Sequence, residues 1–224
     1  MIVNTNAIVL HRMKYKNSSL IARIFTKDIG KMSIIINGAG NKKGNMFGIV
    51  EPPNIIILNY YERKSNSLQT CQDANFLYNH PLIKKNIIKL SIGLSISEII
   101  DKTFHEYDIN TEVYNLACEV LKALNNSQYD DQLILCFFLI NIIEALGFMI
   151  NLETKNNNMF LVNNKIKKFL INLTNSSINN LNDLKYENIN LIDIITLFEN
   201  YIKKHLTLNK DIESFKMIRD MANG

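Results

Sequence analysis

The spacing of apolar residues changes once along the chain, near residue 80. Before that point they fall at every second position or in short runs, the pattern of strands whose side chains alternate between two faces. Ile2–Leu10 is the first such segment, and Ser19–Lys27 and Lys31–Gly38 follow. Asp28-Ile29-Gly30 joins the second and third as a short turn, with glycine where positive φ is needed. Ile55–Tyr61 is a continuous apolar run suited to a buried strand, and Leu68–Leu77 completes five. Pro52-Pro53 excludes a regular central strand just before Ile55. Nothing between these strands is long enough for a crossover helix. The pattern predicts a small Greek-key barrel, for which the OB-fold is the common solution at this size.

From His80 the period becomes helical. Pro81 suits a helix N-terminus, and the run to about Phe104 carries Ile83, Ile87, Leu90, Leu94, Ile96, Ile99 and Ile100. Asp108–Asn110 breaks it, and Thr111–Leu124 forms the next helix. A loop at Asn125–Tyr129 leads to an apolar central helix over Asp130–Gly147. Residues 151–164 are polar and irregular, and helical spacing returns at Lys165–Leu173, Leu191–Leu206 and Ile212–Met221. The expected fold is α+β: a five-stranded OB-fold barrel over 1–80, then an all-α helical domain over 81–224 with 151–164 as an irregular insertion.

Leu133–Ile150 is apolar enough to test as a membrane span. Its Leu, Ile and Phe residues contribute roughly −4 to −7 kcal/mol on the insertion scale, and a central acid costs about +3. Asn141, Glu144 and Gly147 interrupt it, and its flank carries Asp130 and Asp131 rather than Lys or Arg. It reads as a buried core helix. The opening MIVNTNAIVLHRMK lacks the charged start and long apolar core of a signal peptide. A cytoplasmic protein is expected, with no membrane partner.

Composition adds one correction and one clue. The chain holds 35 Ile, 33 Asn and 21 Lys, types with no common folding role, so AT-rich codons explain the excess better than a prion-like tract. The net charge of +4 is unevenly spread: residues 1–80 carry +6 and residues 81–224 carry −2. A basic first third points to a polyanion partner.

Candidate chemistry is sparse. Cys71, Cys118 and Cys136 have no metal-ligand spacing, and His11, His80, His105 and His205 are equally scattered. Buried free thiols and no metal site are expected. GAGNKKG lacks the spacing of a phosphate-binding loop, and no nucleophile or metalloprotease motif appears. His105-Glu106 reads as surface decoration at a helix end. Neither an enzyme, a cofactor nor a small-molecule substrate is expected. The basic residues say more. Arg12, Lys14 and Lys16 lie at alternate positions in the connection between the first two strands. In Ser19–Lys27 the two-residue period puts Leu20, Ala22, Ile24 and Thr26 on a core face, with Ile21, Arg23, Phe25 and Lys27 opposite. An aromatic ring between two cations suits a single nucleic-acid strand, with phosphates on the cations and a base on the ring. Lys31 lies on the polar face of the third strand, and Lys42 and Lys43 lie in the loop beyond. Expected DNA contacts are therefore Arg12, Lys14, Lys16, Arg23, Phe25, Lys27, Lys31, Lys42 and Lys43. The alternative is that Phe25 points inward and the cations only solvate an exposed face.

These residues also carry a family resemblance. The order "AIVL" (7–10), a basic loop with Tyr15, "SSLI" (18–21), "FTKDIGK" (25–31), "GAG" (38–40) and "EPPN" (51–54) resembles the bacterial RecO recombination-mediator family, and "EALGF" at Glu144–Phe148 fits as well. The likeness is good over 1–80, fair to 150 and only in outline beyond. It implies an OB-fold joined to a helical domain, and binding of single- and double-stranded DNA. It also implies annealing of complementary strands and, with RecR, loading of RecA onto DNA covered by the single-stranded-DNA-binding protein. Binding of that protein's acidic tail by the helical part is implied too, and Lys203 and Lys204, beside Tyr201 and His205, are the positions nominated for it. A nucleoid-associated place in the cytoplasm follows. Two departures stand out. Many members carry a four-cysteine zinc module after the "LGF" helix, whereas 151–164 has no cysteine, so no zinc module is expected. The family often has an arginine where this chain has Gly40, so that role shifts to Lys42 and Lys43 or is absent. Two rival readings are an RNA-binding OB module and a protein-interaction scaffold without nucleic-acid binding.

Overall fold

The computed structural model describes residues 1–39, 45–63, 68–126, 128–148, 163–205 and 212–222. Five strands, β1 (Ile2–Tyr15), β2 (Ser19–Thr26), β3 (Gly30–Ile36), β4 (Ile55–Tyr61) and β5 (Gln69–Tyr78), close into a barrel in the order β1-β2-β3-β5-β4. The neighbours pair antiparallel except β3 and β5, which meet in a short parallel stretch at Ile34–Gln69 and Ile35–Thr70. Ala7, Val9, Leu20, Ala22, Ile24, Met32, Ile34, Ile56 and Leu58 fill the interior. Leu20, Ala22, Ile24 and Thr26 are all buried, so the inward half of the β2 pattern is as expected.

β1 runs five residues past the expected end at Leu10. A bulge between Val9 and His11 lets pairing with β2 continue to Tyr15. A bulge adds one residue and so reverses the in–out alternation. Arg12 and Lys14 thereby pair with Ala22 and Leu20, on the inner side of the sheet at the end of the barrel. They belong to the strand, and the connection shrinks to Lys16, Asn17 and Ser18.

Between β3 and β4 a short helix, α1 (Asn45–Ile49), caps this end, with Ile49 and Val50 joining the barrel core. The helical part comprises α2 (Pro81–Lys85), α3 (Ile87–Thr103), α4 (Thr111–Leu124), α5 (Asp131–Ala145), α6 (Asn164–Thr174), a 3-10 turn at Ile178–Asp183, α7 (Leu191–His205) and α8 (Glu213–Ala222). The single helix expected from Pro81 to Phe104 is two, broken at Asn86. Its side chain accepts hydrogen bonds from the Ile88 and Lys89 amides and so caps α3. The segment 151–164 lies outside the described residues up to 162. α5 is capped by Asp130 and buried along most of its length, from Leu133 to Ile140 without interruption. Among the described residues no helix is long and apolar enough to cross a membrane.

Barrel and helices share apolar packing. Ile8, Leu10, Phe25 and Ile55, which point out of the barrel, lie in the same core as α3, α4 and α5. Two glycines permit the close approach. A Cβ on Gly93 of α3 would stand 2.8 Å from Pro53 Cγ, and one on Gly30 would stand 2.2 Å from the Asp108 carbonyl oxygen. Gly30 also has φ +81°, which L side chains rarely adopt.

Candidate nucleic-acid interface

The outer face of β2 is where sequence reasoning placed the DNA, and the helices cover it. Phe25 is fully buried, its ring 5.1 Å from that of Phe104 and 6.5 Å from that of Tyr114. It is a core residue, and no base can reach it. Arg23 donates from Nε and Nη2 to the two Asp101 carboxylate oxygens at 2.8 and 2.5 Å. Lys31 Nζ donates to the Asp101 backbone oxygen at 2.6 Å and stands 3.8 Å from its carboxylate. Burial pulls the Lys31 pKa below the usual lysine value, with Asp101 working against the fall. Backbone pairing continues this seam, because the Tyr107 amide donates to the Lys31 carbonyl at 2.8 Å. Arg23, Phe25 and Lys31 thus join barrel to helices. A strand's outer face can serve solvent or a second layer, and alternation alone does not say which.

Arg12 is likewise held. Its guanidinium lies 4.0 Å from the centroid of Phe47, donates to the Phe47 carbonyl and reaches Glu51 at 2.7 Å. Among the described residues, Lys14, Lys16 and Lys27 are the exposed members of the predicted set. Lys16 sits in the tight turn with φ +51°, its ammonium 5.3 Å above the Tyr15 ring. Ser19 Oγ donates to Asn37 Oδ1 at 3.3 Å, so the β1–β2 turn lies beside the end of β3. The chain leaves β3 there toward Lys42 and Lys43, which lie outside the described residues.

A second cationic and aromatic cluster, absent from the sequence reading, lies at the end of β5. Phe76 and Tyr78 are exposed. Lys84 Nζ is 5.4 Å from the Phe76 centroid and Lys122 Nζ 5.5 Å from that of Tyr78. Lys84 also stands 3.9 Å from Glu51, which links this cluster to Arg12 and Phe47. Beneath Tyr78, with ring centroids 4.9 Å apart, lies His80, buried and with neither ring nitrogen hydrogen-bonded. Desolvation, reinforced by Lys84 and Lys122, pushes its pKa down to about 4. Three consecutive apolar residues at a strand end were the only sequence signal. Lys122 arrives from α4, and nothing in the sequence ties it to β5.

Toward the end of α7, Lys203 is paired with Glu199 at 2.7 Å, and Arg219 of α8 donates to the same buried carboxylate. Lys204 and His205 are exposed. The three cysteines are free thiols, and burial pushes Cys71 up to about 12 and raises Cys118 and Cys136 as well. Among the described residues no group of three His, Cys, Asp or Glu side chains is placed to hold a metal ion.

Comparison with known proteins agrees with this architecture. The family model described as recombination protein O N terminal matches residues 1–80, and that described as recombination protein O C terminal matches 84–166. DNA repair protein RecO of Pelodictyon phaeoclathratiforme is 30% identical over 154 residues, covering 69% of this chain and 59% of that protein. DNA repair protein RecO of Caldanaerobacter subterraneus subsp. tengcongensis is 22% identical over 242 aligned positions, covering 96% of this chain and 97% of that protein. DNA repair protein RecO of Listeria monocytogenes is 26% identical over 142, covering 62% and 54%. The chain spans about 59% of the length of the first of these relatives.

Proposed function

Because the chain belongs to the recombination protein O family of DNA repair proteins, we propose that it captures single- and double-stranded DNA on its barrel and anneals complementary strands. With RecR it would help load RecA onto DNA covered by the single-stranded-DNA-binding protein. The observation that carries the reading is the basic end of the barrel. Lys14 at the end of β1 and Lys16 in the β1–β2 turn are exposed near the end of β3, in a segment of net charge +6. Lys27 adds a further exposed cation, and Lys42 and Lys43 follow β3 closely in sequence.

Cations on one surface neutralise the phosphates of two strands at once, which lowers their repulsion and favours pairing. Lysine is a point charge without the planar fork of arginine, so such contacts hold phosphates with little preference for base. No bond is made or broken, and the protein acts as a mediator rather than an enzyme. Residues 1–80 carry the DNA and 81–224 the protein partners, in the cytoplasm at the nucleoid. The acidic tail of the single-stranded-DNA-binding protein is assigned to Lys203 and Lys204. Glu199 there faces both Lys203 and Arg219, so the cluster keeps a positive excess. A labelled tail peptide should bind the wild type more tightly than Lys203→Ala/Lys204→Ala.

The primary test is fluorescence anisotropy with labelled oligonucleotides across a salt series. Log affinity should fall with log salt by about 0.9 per neutralised phosphate for duplex and about 0.7 for single strands. Lys14→Glu/Lys16→Glu and Lys42→Glu/Lys43→Glu should each weaken binding and flatten that slope. A slope near zero, or unchanged affinity in both variants, overturns the reading and leaves a protein scaffold. Matched RNA competing better than DNA would make it an RNA module. Strand annealing, with and without the single-stranded-DNA-binding protein, checks the mediator role.

A further inference from the structure

We infer that the end of β5 is a stacking site for unpaired nucleic-acid bases, with Phe76 and Tyr78 as platforms and Lys84 and Lys122 as phosphate partners. The inference rests on the reading of the chain as a DNA-binding protein and adds a means of telling single strands from duplex. The rings are open: Phe76 is 40% exposed and Tyr78 39%, on a barrel whose other phenylalanine strand residue, Phe25, is fully buried. Phe76, Leu77 and Tyr78 are exposed in succession, and grouped apolar exposure of this kind marks an interaction site.

The two rings leave opposite sides of the strand end. Phe76 pairs with Ile56, which points into the barrel, and Tyr78 pairs with Ile55, which packs against the helices. The pairing shifts register between Ile55 and Ile56, and Leu77 is the extra residue. Each ring carries a lysine ammonium, at 5.4 Å on Phe76 and 5.5 Å on Tyr78. An exposed cation–π contact is weaker than base–aromatic stacking. An arriving base therefore displaces the ammonium from the ring, and the flexible lysine stem carries the charge to the adjoining phosphate. Lys84 exchanges its 3.9 Å contact with Glu51 for the phosphate, and each ring gains a larger partner.

His80 supports the same use. It lies under Tyr78 with both ring nitrogens buried and without a hydrogen-bond partner, a costly state for a group that serves packing alone. On the other side, Glu51 joins Lys84 to Arg12, whose guanidinium covers Phe47 at 4.0 Å, so a third ring–cation pair adjoins the first. In duplex DNA the base faces are stacked within the helix and cannot reach these rings. The site therefore selects unpaired bases, while Lys14 and Lys16, at the end of β1 and in the turn after it, take phosphates from either form.

The chain has no tryptophan, so Phe76→Trp and Tyr78→Trp each install a single fluorescent reporter. Oligothymidylate should quench both, and a blunt duplex should leave both unchanged. In Phe76→Ala/Tyr78→Ala the single-strand Kd should rise by roughly tenfold or more, with duplex affinity within about twofold of wild type. Both side chains are half-exposed, and thermal unfolding close to wild type verifies that the variants fold. If oligothymidylate binds the wild type but neither tryptophan responds and the double-alanine variant binds as tightly, the stacking site is wrong and the DNA-binding reading stands. If the wild type binds neither form, that reading falls and takes the inference with it.

Discussion

Replacing Asp101 with alanine removes a carboxylate that faces two cations across the seam between barrel and helices. Arg23 meets it through two nitrogens, at 2.8 and 2.5 Å, and Lys31 Nζ stands 3.8 Å away. Exposed ion pairs contribute about 0.2–1 kcal/mol, whereas removing one partner of a buried pair costs about 3–5. This triad lies between those limits. The Arg23 side chain is 37% exposed, so water screens much of its share, about 0.5–1 kcal/mol. Lys31 is 13% exposed but keeps its bond to the Asp101 backbone oxygen, so its share is about 1–2 kcal/mol. A total near 2 kcal/mol lowers Tm by about 4–8 °C for a chain of this length. Calorimetry on Asp101→Ala, Arg23→Ala, Lys31→Ala and the two double variants reads the coupling directly, expected at about 1 kcal/mol per pair. A pH arm gives a second readout. The folded pKa of Lys31 is depressed, so the unfolded chain binds more protons on the alkaline side and stability rises as pH climbs through the folded value. Asp101→Ala should move the onset of that rise to lower pH. A Tm change under about 1 °C, or no coupling in either double variant, would refute the seam as an electrostatic joint.

Phe25→Ala should cost about 3–5 kcal/mol, because the ring is fully buried against Phe104 and Tyr114, while the DNA affinity of the folded protein stays unchanged; weaker DNA binding at unaltered stability would contradict its core role. His80 has its pKa lowered from 6.5 to about 4, so the unfolded chain takes up the proton first as pH falls. The His80 contribution should therefore drop by about 3 kcal/mol between those two values and stay flat above them, and urea titrations of His80→Leu should lose that component. Gly30→Ala combines a φ of +81° with a Cβ 2.2 Å from the Asp108 carbonyl, and should lower stability by about 2 kcal/mol or more in thermal unfolding; an unshifted Tm would mean the loop at Asp108 yields freely.

The barrel was legible because alternation is a local signal. Leu20, Ala22, Ile24 and Thr26 had to share a face once Ser19–Thr26 was extended, and β2, β4 and β5 end within a residue of where the pattern placed them. α4 and the buried α5 were legible for the same reason, since one has a single apolar face and the other is apolar all round. The additions were short or pattern-breaking: the bulge that carries β1 to Tyr15, the cap at Asn86, and α1 in a glycine-rich stretch.

What alternation could not decide was the use of the second face. It grouped Arg23 and Phe25 correctly, but a strand's outer side looks the same in sequence whether it meets water, DNA or a helix. Asp101, Phe104 and Tyr114, far along the chain, settle it by arriving there, and only packing brings them. Lys122 and Tyr78 meet in the same way. The sequence alone determined the barrel, the helical part and the basic character of residues 1–80. Tertiary structure decided which cations neutralise carboxylates and which remain for a partner, because charge is counted locally but paired through space.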